Sequence, residues 1–132
     1  MCIRDRDSIV RGTQLKDIIL RLYDYGAREI HMRPACPPLV FGCKFLNFSR
    51  SRSELDLAAR RAIRELEGDG LVDLEGYADG NSEKHSVMVD QIGNRLNLTT
   101  LKYQKLDNLV DAIGLPKEKV CTYCWDGAEP FK

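Results

Sequence analysis

A short polar segment near the start of the sequence has the residue types of an anion-binding loop. Residues 7–13 read Asp-Ser-Ile-Val-Arg-Gly-Thr and lead directly into a helical pattern. A loop with one glycine and two hydroxyl residues before a helix offers free backbone N–H groups and the positive end of the helix dipole to an anion. Asp7 adds a carboxylate suited to ribose hydroxyls or to a metal ion. The alternative is an Asx or Ser turn that caps the helix and binds no ligand.

Cysteines supply the second group of chemistry-bearing residues. Cys121 and Cys124 have a spacing that lets a tight turn present two thiolates to one metal centre, and Cys43 is a third candidate ligand. Five cysteines, an odd number, with no hydrophobic signal segment favour metal ligation or thiols over a disulfide scaffold. A Cys-x-x-Cys pair by itself is equally compatible with a zinc knuckle, a redox pair or two ordinary thiols.

Composition is typical of a globular domain. The chain has 132 residues, of which 43% are hydrophobic and 30% are charged, enough for one domain with a core. Twenty basic and twenty acidic residues give a net charge of zero, so neither nucleic acid nor an anionic membrane surface is expected as a partner. No apolar run reaches the length of a membrane span. The expected localisation is the cytoplasm.

The hydrophobic pattern predicts that helices and short strands alternate. Apolar residues recur every three or four positions over residues 14–25, which predicts an amphipathic helix with Thr13 as its cap. Residues 27–33 are predicted to form a strand that ends at Pro34. This pair is one half of a βαβ unit, and the parallel strand expected before Asp7 is missing from the sequence.

The second half of the chain is predicted to be mainly helical. Residues 37–53 show little periodicity and read as an extended connection. Ser53-Glu54-Leu55-Asp56 resembles a capping box for a helix that ends near Gly68. The other predicted elements are a loop at 68–81, a helix at 87–96, a strand at 98–103, and a last helix whose apolar face holds Leu106, Leu109, Val110 and Ile113.

Five motifs follow one another along the chain. They are Asp7 to Thr13, Arg33-Pro34-Ala35-Cys36-Pro37-Pro38, Cys43, His85-Ser86-Val87, and Cys121-Thr122-Tyr123-Cys124-Trp125-Asp126-Gly127 with Pro130. The first motif resembles the ribose-phosphate loop of the type I phosphoribosyltransferases. The ordered set is most similar to the glutamine-dependent amidophosphoribosyltransferases of purine synthesis, and it covers most of residues 7–132.

The resemblance implies the α/β class, with part of a type I phosphoribosyltransferase fold (a parallel sheet with flanking helices) and a C-terminal helical segment that contains cysteines. Residues 7–48 are expected to be the C-terminal part of the phosphoribosyltransferase core, and residues 49–132 the helical region. The family has two adjacent acidic residues after a hydrophobic strand, whereas Arg6 occupies the first acidic position here. We therefore expect residues 1–6 to be a non-native prefix on a C-terminal fragment truncated at its N-terminus. A natural but divergent N-terminus is the alternative.

The resemblance also implies that the first motif binds phosphoribosyl pyrophosphate. Backbone N–H groups and hydroxyls would hold the 5′-phosphate, and Gly12 would let the chain approach it closely. Asp7 would bind a ribose hydroxyl or support Mg²⁺. The expected substrate-binding residues are Asp7, Ser8, Arg11, Gly12, Thr13 and Gln14.

Some members of the family hold a [4Fe-4S] cluster, and the resemblance implies Cys43, Cys121 and Cys124 as three of its ligands. The fourth ligand would lie outside the chain, because Cys2 and Cys36 match no ligand position. Trp125 is expected to pack in the interior. It stands where the family has an aromatic residue beside the cluster, which implies shielding of the metal as a secondary role.

For the full protein the resemblance implies an N-terminal glutaminase domain that supplies ammonia, a product of 5-phosphoribosylamine, and a homo-oligomer. The fragment alone is expected to be inactive. Two alternatives stay open: a type I phosphoribosyltransferase with a nucleobase as acceptor, and a non-catalytic metal-binding module in which the loop is only a helix cap.

Overall fold

The computed structural model describes residues 6–45, 56–70 and 72–129, with side chains from Ile9 onward. Cys2, residues 53–55 and Pro130, all named above, lie outside this range. The elements within it are α1 (Arg6–Arg11), α2 (Thr13–Asp24), β1 (His31–Met32), α3 (Ala58–Glu67), α4 (Leu74–Ala78), α5 (Glu83–Arg95), β2 (Thr100–Leu101), α6 (Leu106–Ile113), a 3₁₀ turn (Lys117–Lys119) and α7 (Tyr123–Asp126).

The two strands form a small parallel sheet. His31 is opposite Thr100, and Met32 is opposite Leu101. Both strands lie where the sequence predicted strands, but each has only two residues and a single neighbour in the described chain. The α/β class is thus confirmed at the level of a mixed, mainly helical structure with one parallel strand pair.

The hydrophobic core lies between α2, α3, α5 and β2. Helix α2 buries Leu15 and Ile19, as its apolar spacing predicted, while Ile18 and Leu22 on the same helix are exposed. Helices α3 and α5 pack against each other and supply much of the rest. The largest fully buried side chains are Ile19, Val40, Leu57, Met88 and Ile92. None of the helices in the described ranges is long and apolar enough to cross a membrane.

Two predicted helix boundaries are corrected. Helix α3 begins at Ala58 after Leu57, and no side chain caps it, so the predicted capping box does not start this helix. Helix α5 begins at Glu83, four residues earlier than expected, because the Ser82 hydroxyl accepts a hydrogen bond from the His85 N–H at 3.0 Å. A capping serine fixes where a helix can start even when the first turn is polar.

The predicted loop at 68–81 contains a helix. Helix α4 is only five residues long, so it has too few turns to show a hydrophobic period. Its cap is Asp73, whose carboxylate accepts a hydrogen bond from the Gly76 N–H at 3.0 Å. Tyr77 of this helix is buried in the core and donates its hydroxyl to Glu67 at 2.7 Å. Burial of one aromatic side chain holds this short helix against α5.

Ser82 gives a direct test of the observed start of α5. Ser82→Ala removes the cap of α5 and a hydrogen bond that the hydroxyl donates to the Gly76 carbonyl. We expect the free energy of unfolding to fall by about 1 kcal/mol, in the range found for serine caps. Urea denaturation measures it. Ser86→Ala is the matched control, because the Ser86 hydroxyl is exposed and makes only a long 3.5 Å contact with the Ser82 carbonyl; equal losses in both variants would contradict the capping role.

Candidate functional site

The segment predicted as an open loop is largely helical. The backbone of Asp7 and Ser8 lies in α1, and their side chains lie outside the described part of the chain. The prediction of a loop was wrong because Ile9 packs against the core, and such packing stabilises a short helix over the preference of Asp and Ser for turns. The predicted cap is wrong as well: Thr13 is the first residue of α2, Gly12 occupies the cap position, and no side chain caps the helix.

Gly12 is the single residue between α1 and α2. Its φ of 75° lies in the left-handed region that favours glycine. A Cβ at this position would lie 3.5 Å from Leu96 Cδ2 and 3.8 Å from Ala58 Cβ. Gly12 therefore lies against α3 and the end of α5. The turn at Gly12 directs the N-terminus of α2 toward these two helices.

A cavity of about 320 Å³ lies at this N-terminus. Helix α2 leaves its first N–H groups without partners in the helix and has no side-chain cap, so the positive end of its dipole is directed toward the cavity. The charged and hydroxyl side chains along the wall are Arg11, Thr13, Lys16, Asp17, Arg61 and Arg95. Four positive charges against one negative charge make this the electrostatic environment of an anion site.

The predicted binding residues are thus only partly brought together. Arg11, Gly12 and Thr13 line the cavity, whereas Gln14 is exposed and is not part of its wall. Sequence reasoning missed Lys16, one turn into α2. It also missed Arg61 and Arg95, which belong to α3 and α5 and approach the cavity only through tertiary packing. No local motif marks them.

The two distant arginines have different partners. A guanidinium N–H₂ group of Arg61 donates to the Arg11 carbonyl and, at 3.1 Å, to the Asp56 carbonyl. Arg95 forms an ion pair with Glu65, which also accepts a hydrogen bond from Gln91 at 2.8 Å. Burial lowers the pKa of Arg61, and the positive charge of Arg95 lowers it further.

Gly12 and Gly26 form a matched pair for testing the left-handed turn. Gly26 follows α2, has a φ of 95°, and has open space around the position of a Cβ. Gly26→Val should therefore lose only backbone strain energy, about 1–3 kcal/mol. Gly12→Val carries the same strain and adds a contact with Leu96, so we expect a larger loss of unfolding free energy in urea melts. Gly12→Ala, whose Cβ fits, should match Gly26→Ala; a Gly12→Val no worse than Gly26→Val would contradict the close approach to α5.

The segment that holds Cys43 packs beside the segment that holds Cys121 and Cys124. Cys124 lies in α7, Cys121 just before it, and Cys43 in the connection that follows β1. The N–H groups of Val40 and Phe41 both donate to the Cys124 carbonyl at 3.1 Å, which joins the two segments. Burial raises the pKa of the Cys124 thiol to about 12, and the charges of Cys43 and Cys121 raise it too. The backbone contacts, rather than a measured separation of the sulfur atoms, are what join these two segments.

Aromatic and charged side chains also link the two cysteine-containing segments. The rings of Phe41 and Tyr123 have centroids 5.8 Å apart, and the Lys44 ammonium lies 4.2 Å from the Tyr123 ring centroid. Lys44 also pairs with Glu129 at 2.5 Å. The indole N–H of Trp125 is buried, with no hydrogen-bond partner among the described residues. We define Cys43, Cys121 and Cys124, with the side chains around them, as the cysteine cluster.

The thiols are soft donors, of the type that iron–sulfur clusters and zinc take. Within residues 6–45, 56–70 and 72–129, no three His, Cys, Asp or Glu side chains are placed to hold one metal ion. A [4Fe-4S] cluster binds its thiolates through different iron atoms, so its ligands stand farther apart than those of a single ion. The thiols have the donor type that such a cluster takes, and the assignment of Cys43, Cys121 and Cys124 as its ligands stays a prediction.

The sequence was compared with protein families and with curated proteins. No family model matches. Amidophosphoribosyltransferases from Methanothermobacter thermautotrophicus and Mycobacterium bovis are 32% and 28% identical to this chain over 94% and 96% of its length. One from Pyrococcus horikoshii is 42% identical over 54% of it. The aligned regions make up 20%, 20% and 16% of those proteins, so the chain spans about a fifth of the curated relatives it matches. The resemblance inferred from the motifs is confirmed: the chain is a relative of the amidophosphoribosyltransferases and corresponds to a small part of one.

Proposed function

We propose that this chain contributes the phosphoribosyl pyrophosphate-binding segment of an amidophosphoribosyltransferase. In the whole protein, ammonia would attack C1 of the ribose, the bond from C1 to the pyrophosphate oxygen would break, and 5-phosphoribosylamine would form as the first step of purine synthesis. The observation that carries the proposal is the basic cavity at the N-terminus of α2, formed at the motif that resembles the ribose-phosphate loop.

The described residues can perform the binding part of this reaction. The first N–H groups of α2 and the Thr13 hydroxyl are donors for the 5′-phosphate, and Arg11 and Lys16 balance its charge. Asp7, through its carboxylate, would hold a ribose hydroxyl or support Mg²⁺, as the resemblance implies. Positive charge develops on C1 as pyrophosphate leaves, and a nearby carboxylate stabilises it. Ser8 and Gln14 remain expected ligands on the resemblance alone.

We further propose that the cysteine cluster holds a [4Fe-4S] cluster whose fourth ligand lies outside this chain. The bound cluster would supply a structural crosslink. The support is that the segment of Cys43, far away in sequence, is joined to the segment of Cys121 and Cys124 by hydrogen bonds to the Cys124 carbonyl. A nucleobase-dependent phosphoribosyltransferase has no chemical need for such a crosslink, which makes that alternative weaker.

The activity is tested with the full-length protein. Pyrophosphate release is measured with phosphoribosyl pyrophosphate, Mg²⁺ and either free ammonia, glutamine or a set of nucleobases. Release that depends on ammonia or glutamine supports the proposal. Release that depends on a nucleobase selects the competing transferase, and no release with any acceptor selects the non-catalytic metal-binding module.

A further inference from the structure

We propose that Arg61 of α3 and Arg95 of α5 are anion-binding residues, which hold a phosphate group in the cavity together with the N-terminus of α2. Neither residue belongs to a motif of the sequence analysis. The inference deepens the proposed function and rests on it for the phosphate ester that is bound. The anion site itself rests on the geometry of the described residues.

The charges around the cavity are unbalanced. Arg11, Lys16, Arg61 and Arg95 come from the end of α1, from α2, from α3 and from α5, so the fold converges four positive charges on one space. Among the described residues, the acidic groups nearby are Asp17 in the wall, Glu65, which is paired with Arg95, and Asp56, whose charge acts on Arg61. Like charges at short range repel, and an anion between them replaces that repulsion with attraction.

Some guanidinium N–H groups of Arg61 have no partner in the described part of the chain. Its contacts with the Arg11 and Asp56 carbonyls engage one terminal nitrogen, and its Nε–H is buried without a partner in the described part of the chain. A guanidinium has five N–H donors in a planar fork that matches two phosphate oxygens at once. The Nε–H is closed off from solvent, so the other terminal nitrogen, which has no partner among the described residues, is the donor left for a phosphate oxygen.

The cavity is partly open to solvent and has room for a small ligand. At about 320 Å³, it is at the lower end of small-molecule sites, which measure roughly 300–1,000 Å³. This volume fits a phosphate or a small phosphorylated sugar. Among such ligands we assign a phosphate monoester, of the kind carried on the 5′ carbon of ribose.

The test is titration calorimetry on the 132-residue chain, with inorganic phosphate and with ribose 5-phosphate as probes. Arg95→Gln should weaken binding of both probes about tenfold, the effect of one lost charge-assisted hydrogen bond. Arg64→Gln is the matched control on α3, because Arg64 pairs with exposed Asp69 at 2.6 Å and is not part of the wall. It should change affinity less than about twofold. Binding should also weaken as salt is raised.

Arg61 calls for a conservative substitution, because its hydrogen bonds to backbone carbonyls link α3 to α1 and their loss could unfold the chain. Arg61→Lys keeps the charge but removes the fork, and it should weaken ribose 5-phosphate binding while a thermal melt stays cooperative. Unchanged affinity in Arg95→Gln, or absence of phosphate binding by the wild-type chain with a normal melt, would overturn the inference. Arginine-dependent binding of ribose 5-phosphate, combined with no pyrophosphate release by the full protein, would overturn the proposed function and leave the anion site standing. Pyrophosphate release by the full protein, with unchanged phosphate affinity in Arg61→Lys and Arg95→Gln, would support the proposed function and overturn the inference about the two arginines.

Discussion

Serine in place of Cys43, Cys121 or Cys124 is expected to abolish iron binding by the full-length protein. Purified without oxygen, the wild type should be brown and contain about four irons per chain. Each substitution removes one thiolate from a shared centre, and metal-binding energy is also folding energy, so colour and stability should be lost together. Iron analysis, the visible spectrum and a thermal melt measure the three effects.

Cys36 provides the control for the cysteine experiment. Its side chain is half-buried and forms no disulfide within the described residues, and it matches no ligand position. Cys36→Ser should keep both iron and colour. Zinc in place of iron would refute the cluster and spare the enzyme assignment. Absence of any metal under anaerobic handling would refute both metal proposals.

Helix α2 shows which part of the fold is readable from sequence. Its apolar residues recur at helical spacing over three turns, so a local pattern fixes both the element and its buried face, at Leu15 and Ile19. The strands were predicted in the right places but too long, because strand length depends on the neighbours that pair with them. Helix α4 was missed, since its stability comes from one buried tyrosine, Tyr77, that no local pattern marks.

The two candidate sites divide in the same way. The cysteine ligands stay a prediction, because the sequence marks chemically specific residues but no three side chains in the described part of the chain are placed to hold a metal ion. The anion cavity was anticipated only on the side of Arg11, Gly12 and Thr13. Arg61 and Arg95 read as ordinary surface charges on amphipathic helices. Only the packing of α3 against α5, beside Gly12, brings Arg61 and Arg95 to the same cavity.

Asp7 is expected to have the largest effect on phosphoribosyl transfer. Asp7→Asn in the full-length protein removes charge-assisted contacts worth roughly 1.5–3 kcal/mol, or about a ten- to hundredfold loss of rate at 1.4 kcal/mol per factor of ten. The glutaminase activity should persist, since the change is confined to the transferase site.

Steady-state pyrophosphate release with phosphoribosyl pyrophosphate and free ammonia measures the effect without the glutaminase step. Asp24→Asn, which makes the same charge change at the last residue of α2, is the control and should leave the rate within about twofold. Asp24 is the last residue of α2 and carries the same charge as Asp7, so an effect of net charge alone would change the rate in both variants. A rate that is unchanged in Asp7→Asn, or lowered equally in both, would mean that the first motif does not contact the ribose or its metal, and the cavity would then bind an anion without taking part in transfer.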